Sequence, residues 1–142
     1  MEVSDVRKRL VQTINRAKRA AAERRVRADA AARAYEEFLA KVATPVFRMF
    51  ATALRAEGHL FAVHAPAGGL RLAADRTGED FIELTLDTTI DPPAVIARVS
   101  RGRGHRVIST ERPIREGAAI DRLTEDDVLE FLLSEIVPFV VR

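Results

Sequence analysis

The stretch DVRKRLVQTINRAKRAAAERRVRADAAARAYEEFLAKVA, residues 5–43, decides the fold, because it contains neither glycine nor proline. Its alanines and long charged side chains favour a helix, with Ser4 as the expected N-cap and Asp5 in the first turn. As one helix it would be about 58 Å long at 1.5 Å per residue. A helix of that length needs a partner along its length.

Steps of three and four residues along this helix select a mostly apolar seam, the pattern of a coiled coil. Arg7 and Arg24 interrupt the seam, and its middle is alanine, so two helices could approach closely there. The seam predicts a homo-oligomer that pairs through this helix. The expected interface residues are Leu10, Ile14, Ala17, Ala21, Ala28, Tyr35 and Phe38.

A second helix is predicted over residues 45–57. Pro45 suits the first position of a helix, with Thr44 as its cap, although the same pair is also compatible with a kink in one longer helix. Gly58 is well placed to end the segment in a left-handed conformation.

From residue 58 to residue 115 the apolar period changes to two, which predicts strands. The clearest strand is residues 81–88, where Ile82, Leu84 and Leu86 alternate with polar residues. The other expected strands are residues 60–65, 70–74, 94–100 and 106–112, with a glycine-rich turn at residues 101–105. Short loops between consecutive strands favour a five-stranded antiparallel meander.

The last element, residues 123–142, is predicted to be an amphipathic helix. Thr124 is the expected N-cap, and Leu123 with Val128 matches a hydrophobic staple. Pro138 is expected to end or bend this helix. Its predicted buried stripe is Val128, Leu129, Leu132, Leu133 and Ile136, with at least two of the three leucines buried.

These segments predict one α+β domain over residues 1–142. Residues 1–44 form a projecting basic helix, and residues 58–115 form the sheet. The helix of residues 45–57 and the C-terminal helix of residues 123–142 are expected to cover one face of that sheet.

Charge is distributed unevenly along the chain. The net charge is only +2, but the stretch from Arg7 to Arg33 holds ten basic and two acidic residues, a formal +8, and residues 34–142 carry −4. This pattern favours DNA or RNA as a partner, bound through phosphates without base readout, because no helix-turn-helix, zinc-finger or aromatic stacking motif accompanies the charge. The candidate contacts are Arg16, Lys18, Arg19, Arg24, Arg25 and Arg27, with Arg103 and Arg106 in the glycine-rich turn as outside candidates.

The alternative interpretation is a coiled-coil adaptor or scaffold subunit whose arginines form a solvated surface or contact another protein. A small-ligand sensor or an enzyme is the least favoured class, because no pattern of catalytic residues stands out. A membrane partner is not expected, because alanine rather than leucine or an aromatic residue lies opposite the cations.

Neither a metal nor a cofactor is expected. The chain has three histidines and no cysteine, and no phosphate-binding loop of known spacing. Absence of cysteine, of a signal sequence and of a spanning apolar stretch predicts a cytoplasmic protein.

Overall fold

A computed structural model describes residues 1–141 and shows the predicted α+β fold. Two helical regions pack against a five-stranded antiparallel sheet. In chain order the elements are α1 (Val3–Phe38), a π-helical segment (Leu39–Ala43), α2 (Thr44–Ala56), β1 (Phe61–His64), β2 (Leu70–Ala74), β3 (Phe81–Asp87), β4 (Ala94–Arg103), β5 (Arg106–Pro113), a short 3₁₀ turn (Ile120–Arg122) and α3 (Glu125–Val140).

The first helix begins at Val3, with Glu2 rather than Ser4 at the N-cap position, and continues without a break through Pro45. Thr44 is helical (φ −62°, ψ −45°), so it does not cap a separate helix. Its backbone N–H donates to the carbonyl of Leu39, five residues earlier. Proline has no N–H and its ring crowds the preceding turn. The wider π-helical turn just before Pro45 lets the helix continue past it.

The C-terminal end of α2 is closed by Gly58, as predicted. Gly58 has φ 86°, a conformation that glycine adopts without steric cost. Its N–H donates to the carbonyl of Arg55, and the N–H of His59 donates to that of Leu54. These two bonds form a Schellman motif, which turns the chain from α2 into β1.

The sheet is a meander in which each strand pairs with the next in sequence. The expected turn at residues 101–105 is shorter than predicted, because Arg101 and Arg103 belong to β4 and only Gly104 and His105 form the loop. Gly104 has φ 62°, and glycine in the first position of a two-residue hairpin suits the strand twist. The β4–β5 hairpin is therefore longer than the strands predicted from the apolar alternation in the sequence.

One face of the sheet carries the core. Leu72 pairs with Ile82, and Leu84 pairs with Ala97, so these four side chains lie on the same face, and all are fully buried. Against them pack Phe47 of α2 and the buried residues of α3, and the Phe61 and Phe139 rings meet edge to face at 6.1 Å. The two helices thus cover one face, as the sequence predicts.

Helix α3 begins as predicted but is rotated from its predicted orientation. Thr124 and Asp127 form a reciprocal capping box, and Leu123 and Val128 are both buried. Pro138 lies inside the helix, which ends soon after it, at Val140. The expectation that at least two of the three leucines are buried is wrong. Leu132 is buried with Phe131 and Phe139, whereas Leu129 and Leu133 are exposed. The two phenylalanines occupy the sheet side and turn those two leucines outward.

Candidate binding surfaces

The first feature of functional interest is the N-terminal part of α1, residues 3–26, here called the arm. All of it is exposed apart from two half-buried alanines, Ala20 and Ala21. No side-chain hydrogen bond or ion pair joins the arm to the rest of the described chain. The arm therefore presents its full circumference to a partner.

Cations are spread around the arm rather than gathered on one side. At 100° per residue, Arg16 and Arg19 lie opposite the apolar positions Leu10 and Ile14. Three other predicted contact residues lie beside those apolar positions: Lys18, Arg24 and Arg25. Two groups of cations are therefore distinguishable, one facing away from the apolar stripe and one bordering it.

Arg27 marks the root of the arm. Its guanidinium group lies 3.5 Å from the carboxylate of Asp91, in the loop between β3 and β4. Both side chains are well exposed, so the pair contributes little to stability. It does place one predicted contact residue against the body of the protein, where an anionic ligand would have to compete with Asp91.

Arg103 and Arg106 lie far from the arm. They pair across the β4–β5 hairpin, and Arg101 lies on the same face two residues earlier. None of the three forms an ion pair with another described residue. Strand β4 spans about 30 Å, so the hairpin and the Asp91 loop lie at opposite ends of the sheet. The structure does not join the two predicted groups of cations into one surface.

The predicted oligomer seam divides into two parts. Leu10 and Ile14 are 55% and 41% exposed. Ala17 is exposed, and Ala21 and Ala28 are half-buried. Tyr35 and Phe38, by contrast, are buried in the core of their own chain. The apolar seam thus continues into the body, and only its part in the arm is available to another molecule.

Tyr35 fixes the helix to the sheet. Its hydroxyl donates to the carbonyl of Gly68 at 2.8 Å and lies 3.3 Å from that of Leu84. Burial, and secondarily the negative charge of Glu83, raises the pKa of Tyr35 to about 12. The hydroxyl of Tyr35 therefore keeps its proton up to high pH, at a buried site in the helix that continues from the arm.

The face of the sheet opposite the core carries a row of charged residues on neighbouring strands, which the apolar alternation in the sequence does not predict. Arg71, Glu83, Arg98 and Glu111 are successive cross-strand neighbours on β2 to β5. Glu83 is only 8% exposed and is ion-paired to Arg71 and, at 3.8 Å, to Arg98. The two guanidinium groups also lie over the ring of Phe81, at 4.1 and 5.2 Å from its centroid. The row covers a buried aromatic ring on a face that no helix protects.

Three further observations bear on the class of site. Within residues 1–141, no group of three histidine, aspartate or glutamate side chains is placed to hold a metal ion. A concavity of about 760 Å³ beside β1 and β2, which includes His64 and Arg71, is shallow and open. None of the described helices is both long and apolar enough to cross a bilayer.

No protein-family model, curated protein or solved structure matches this chain. The fold and the surfaces described above are therefore the basis for inferring a function.

Proposed function

We propose that this protein is a homo-oligomeric module that binds DNA or RNA through its arm, by contacts to phosphates rather than to bases. The observation that carries the proposal is the formal charge of +8 between Arg7 and Arg33, on a helix whose first 24 helical residues have no partner within the described chain. Lysine and arginine that neutralise phosphates release counterions, which gives affinity independent of base sequence.

The dimensions of the arm suit such a contact. Residues 3–26 form a helical rod about 36 Å long, close to one turn of a duplex. A straight helix touches a curved backbone over only part of its length, so roughly half of its cations would contact any one duplex. Arg16 and Arg19, which face away from the apolar stripe, are the best placed, because their contacts would leave that stripe free for protein.

The test is a titration of fluorescent duplex DNA and single-stranded RNA, followed by anisotropy over a series of salt concentrations. The double variant R16Q/R19Q removes two cations from the arm. If both contact duplex phosphates, the slope of log affinity against log salt becomes shallower by about 1.8, since each phosphate contributes about 0.9. Two duplexes of unrelated sequence should bind equally.

The matched control is R48Q/R76Q, which removes two exposed arginines from the body and none from the arm. It should leave the slope close to that of the wild type. An equal change in both variants would show that net charge alone governs affinity. Absence of binding at low salt, where attraction between charges is strongest, would contradict the proposal.

A second candidate function is a protein adaptor, favoured by the exposure of large apolar residues along the same arm. Val6, Leu10 and Ile14 are 49%, 55% and 41% exposed. Phosphate contacts would not cover them, whereas a protein partner would. Binding of nucleic acid without any self-association would leave this stripe unexplained and favour a different protein as its partner.

A further inference from the structure

The outer face of α3, defined here as Leu129, Leu133 and Val137, is an unpartnered apolar stripe. The three residues are 38%, 47% and 52% exposed. Their spacing of four residues places them along one side of the helix. That side lies away from the side of α3 that carries Phe131 and Phe139, which pack on the sheet.

The first half of this stripe has acidic borders, whereas its C-terminal end lies beside Arg101 and Arg103 of β4, which line one concavity with Pro138 and Val141. Helix α3 contains five acidic residues and no basic one. Glu125, Asp126 and Glu130 are exposed and form no ion pair with another described residue. Asp126 precedes Leu129 by three residues and Glu130 precedes Leu133 by three, so both carboxylates lie beside the stripe.

The arm carries the opposite arrangement. Leu10 and Ile14 are spaced by four residues, with Arg7 three residues before the first and Lys18 four residues after the second. The apolar part from Val3 to Ile14 is about 16 Å long, and the outer face of α3 is about 12 Å long. The two stripes match in length, in apolar character and in the opposite sign of their bordering charges.

The arm cannot reach α3 of its own chain. Leu10 and Tyr35 belong to one unbroken helix, and Tyr35 is held in the core. Leu10 and Tyr35 are 25 positions apart, which is about 38 Å along the helix, so Leu10 is held that far from the buried Tyr35. An occupant of the outer face of α3 must therefore come from another molecule.

We propose that the outer face of α3 binds the arm of a second copy of this chain. Pairing of two arms would bring Arg7 and Arg24, which interrupt the seam, and their cationic neighbours close to those of the other arm. Pairing of two α3 helices would bring acidic borders together. Of the three possible pairings, only the arm of one chain against α3 of another brings together apolar stripes whose bordering charges have opposite signs. The inference rests on the proposed function, because it names the contact that builds the oligomer and leaves Arg16 and Arg19 free for phosphate.

The test uses two double variants of the full chain, L10N/I14N in the arm and L133N/V137N in α3. Light scattering after size exclusion, at tens of micromolar protein, a range suited to modest affinities, should report an oligomer for the wild type and a single chain for each variant. A mixture of the two variants should associate, because the intact arm of one can bind the intact α3 of the other. Controls V26N and L60N change exposed apolar residues outside both stripes and should associate like the wild type.

Three outcomes would overturn the inference. They are a wild type that is a single chain, an α3 variant that associates like the wild type, and a mixture of the two variants whose molar mass by light scattering equals that of each variant alone. Pairing of arm with arm predicts the second outcome, and pairing of α3 with α3 predicts that only the α3 variant dissociates. The salt titration of nucleic acid is measured separately. Loss of nucleic-acid binding with the association pattern intact would contradict only the proposed function. Nucleic-acid binding by a wild type that is an oligomer, with an α3 variant that still associates, would contradict only this inference.

Discussion

The arm and the body of this protein both carry large apolar residues yet differ in what covers those residues. In the body, Phe47, Ile82 and Leu132 are fully buried between helices and sheet. In the arm, Leu10 and Ile14 are about half exposed, and no other element within residues 1–141 is packed on them. The helix is therefore stabilised by packing at one end and by intrinsic propensity alone at the other. An unpacked apolar stripe on so long a helix is the feature that most needs a partner.

The largest effect on stability is expected from Leu132→Ala, in the part of α3 that packs on the sheet. Leu132 is fully buried, so its truncation removes apolar contacts and leaves a cavity. The free energy of unfolding should fall by about 2–5 kcal/mol. Leu60→Ala is the control, because Leu60 is 48% exposed and should cost less than about 1 kcal/mol. Equal losses in urea unfolding would contradict the observed orientation of α3.

An effect nearly as large should appear at high pH, at the junction between arm and body. The Tyr35 hydroxyl holds its proton more tightly in the folded protein than in the unfolded chain, because its pKa is about 12 in the folded state against an ordinary 10.0. The resulting stability is therefore fully present below pH 10 and is lost as the pH rises from about 10 to about 12. A difference of this size corresponds to a stabilisation on the order of 2–3 kcal/mol.

The measurement for Tyr35 is direct, because the chain has one tyrosine and no tryptophan. Its ultraviolet titration should have a midpoint clearly above the value in urea. A folded midpoint equal to the denatured one would show that the Tyr35 hydroxyl is not buried between helix and sheet.

A smaller effect is expected from Thr124→Ala, which removes the N-cap of α3. The Thr124 side chain accepts from the backbone N–H of Asp127 at 3.2 Å. Loss of a cap of this kind costs about 1 kcal/mol. Thr52→Ala is the control, since the Thr52 hydroxyl donates only to a carbonyl within α2. A melting temperature lowered equally by both changes would indicate that the Thr124 cap does not stabilise α3 more than the Thr52 hydroxyl stabilises α2.

The smallest effect is expected in the arm itself. Val26 is 67% exposed, and it lies opposite Leu10 on the helix. Val26→Ala replaces it with a better helix former, so the global unfolding free energy should change by less than about 0.5 kcal/mol. A loss comparable to that of Leu132→Ala would show that the arm packs on this side as well, and would contradict the contrast between arm and body.

Most elements follow from local signals in the sequence. The alternation from Phe81 to Asp87 defines β3, and Gly58 and Thr124 mark a helix end and a helix start at the predicted positions. The strand signal is a repeat over several residues, whereas Gly58 and Thr124 act through the backbone preference of a single residue, and neither depends on distant parts of the chain. Pro45 is the exception, because a π-helical turn accommodates it and one continuous helical region replaces the two separate helices that were predicted.

What the sequence determined by itself is therefore the order and type of elements, together with the cationic character of the arm. Only the tertiary structure decided which residues face inward. It buries Tyr35 and Phe38 in their own core, exposes Leu129 and Leu133, and aligns Arg71, Glu83 and Arg98 across three strands. The physical reason is that an apolar side chain can meet a neighbour in its own chain or one in a partner. Periodicity shows that a stripe is apolar, but only packing shows what covers it.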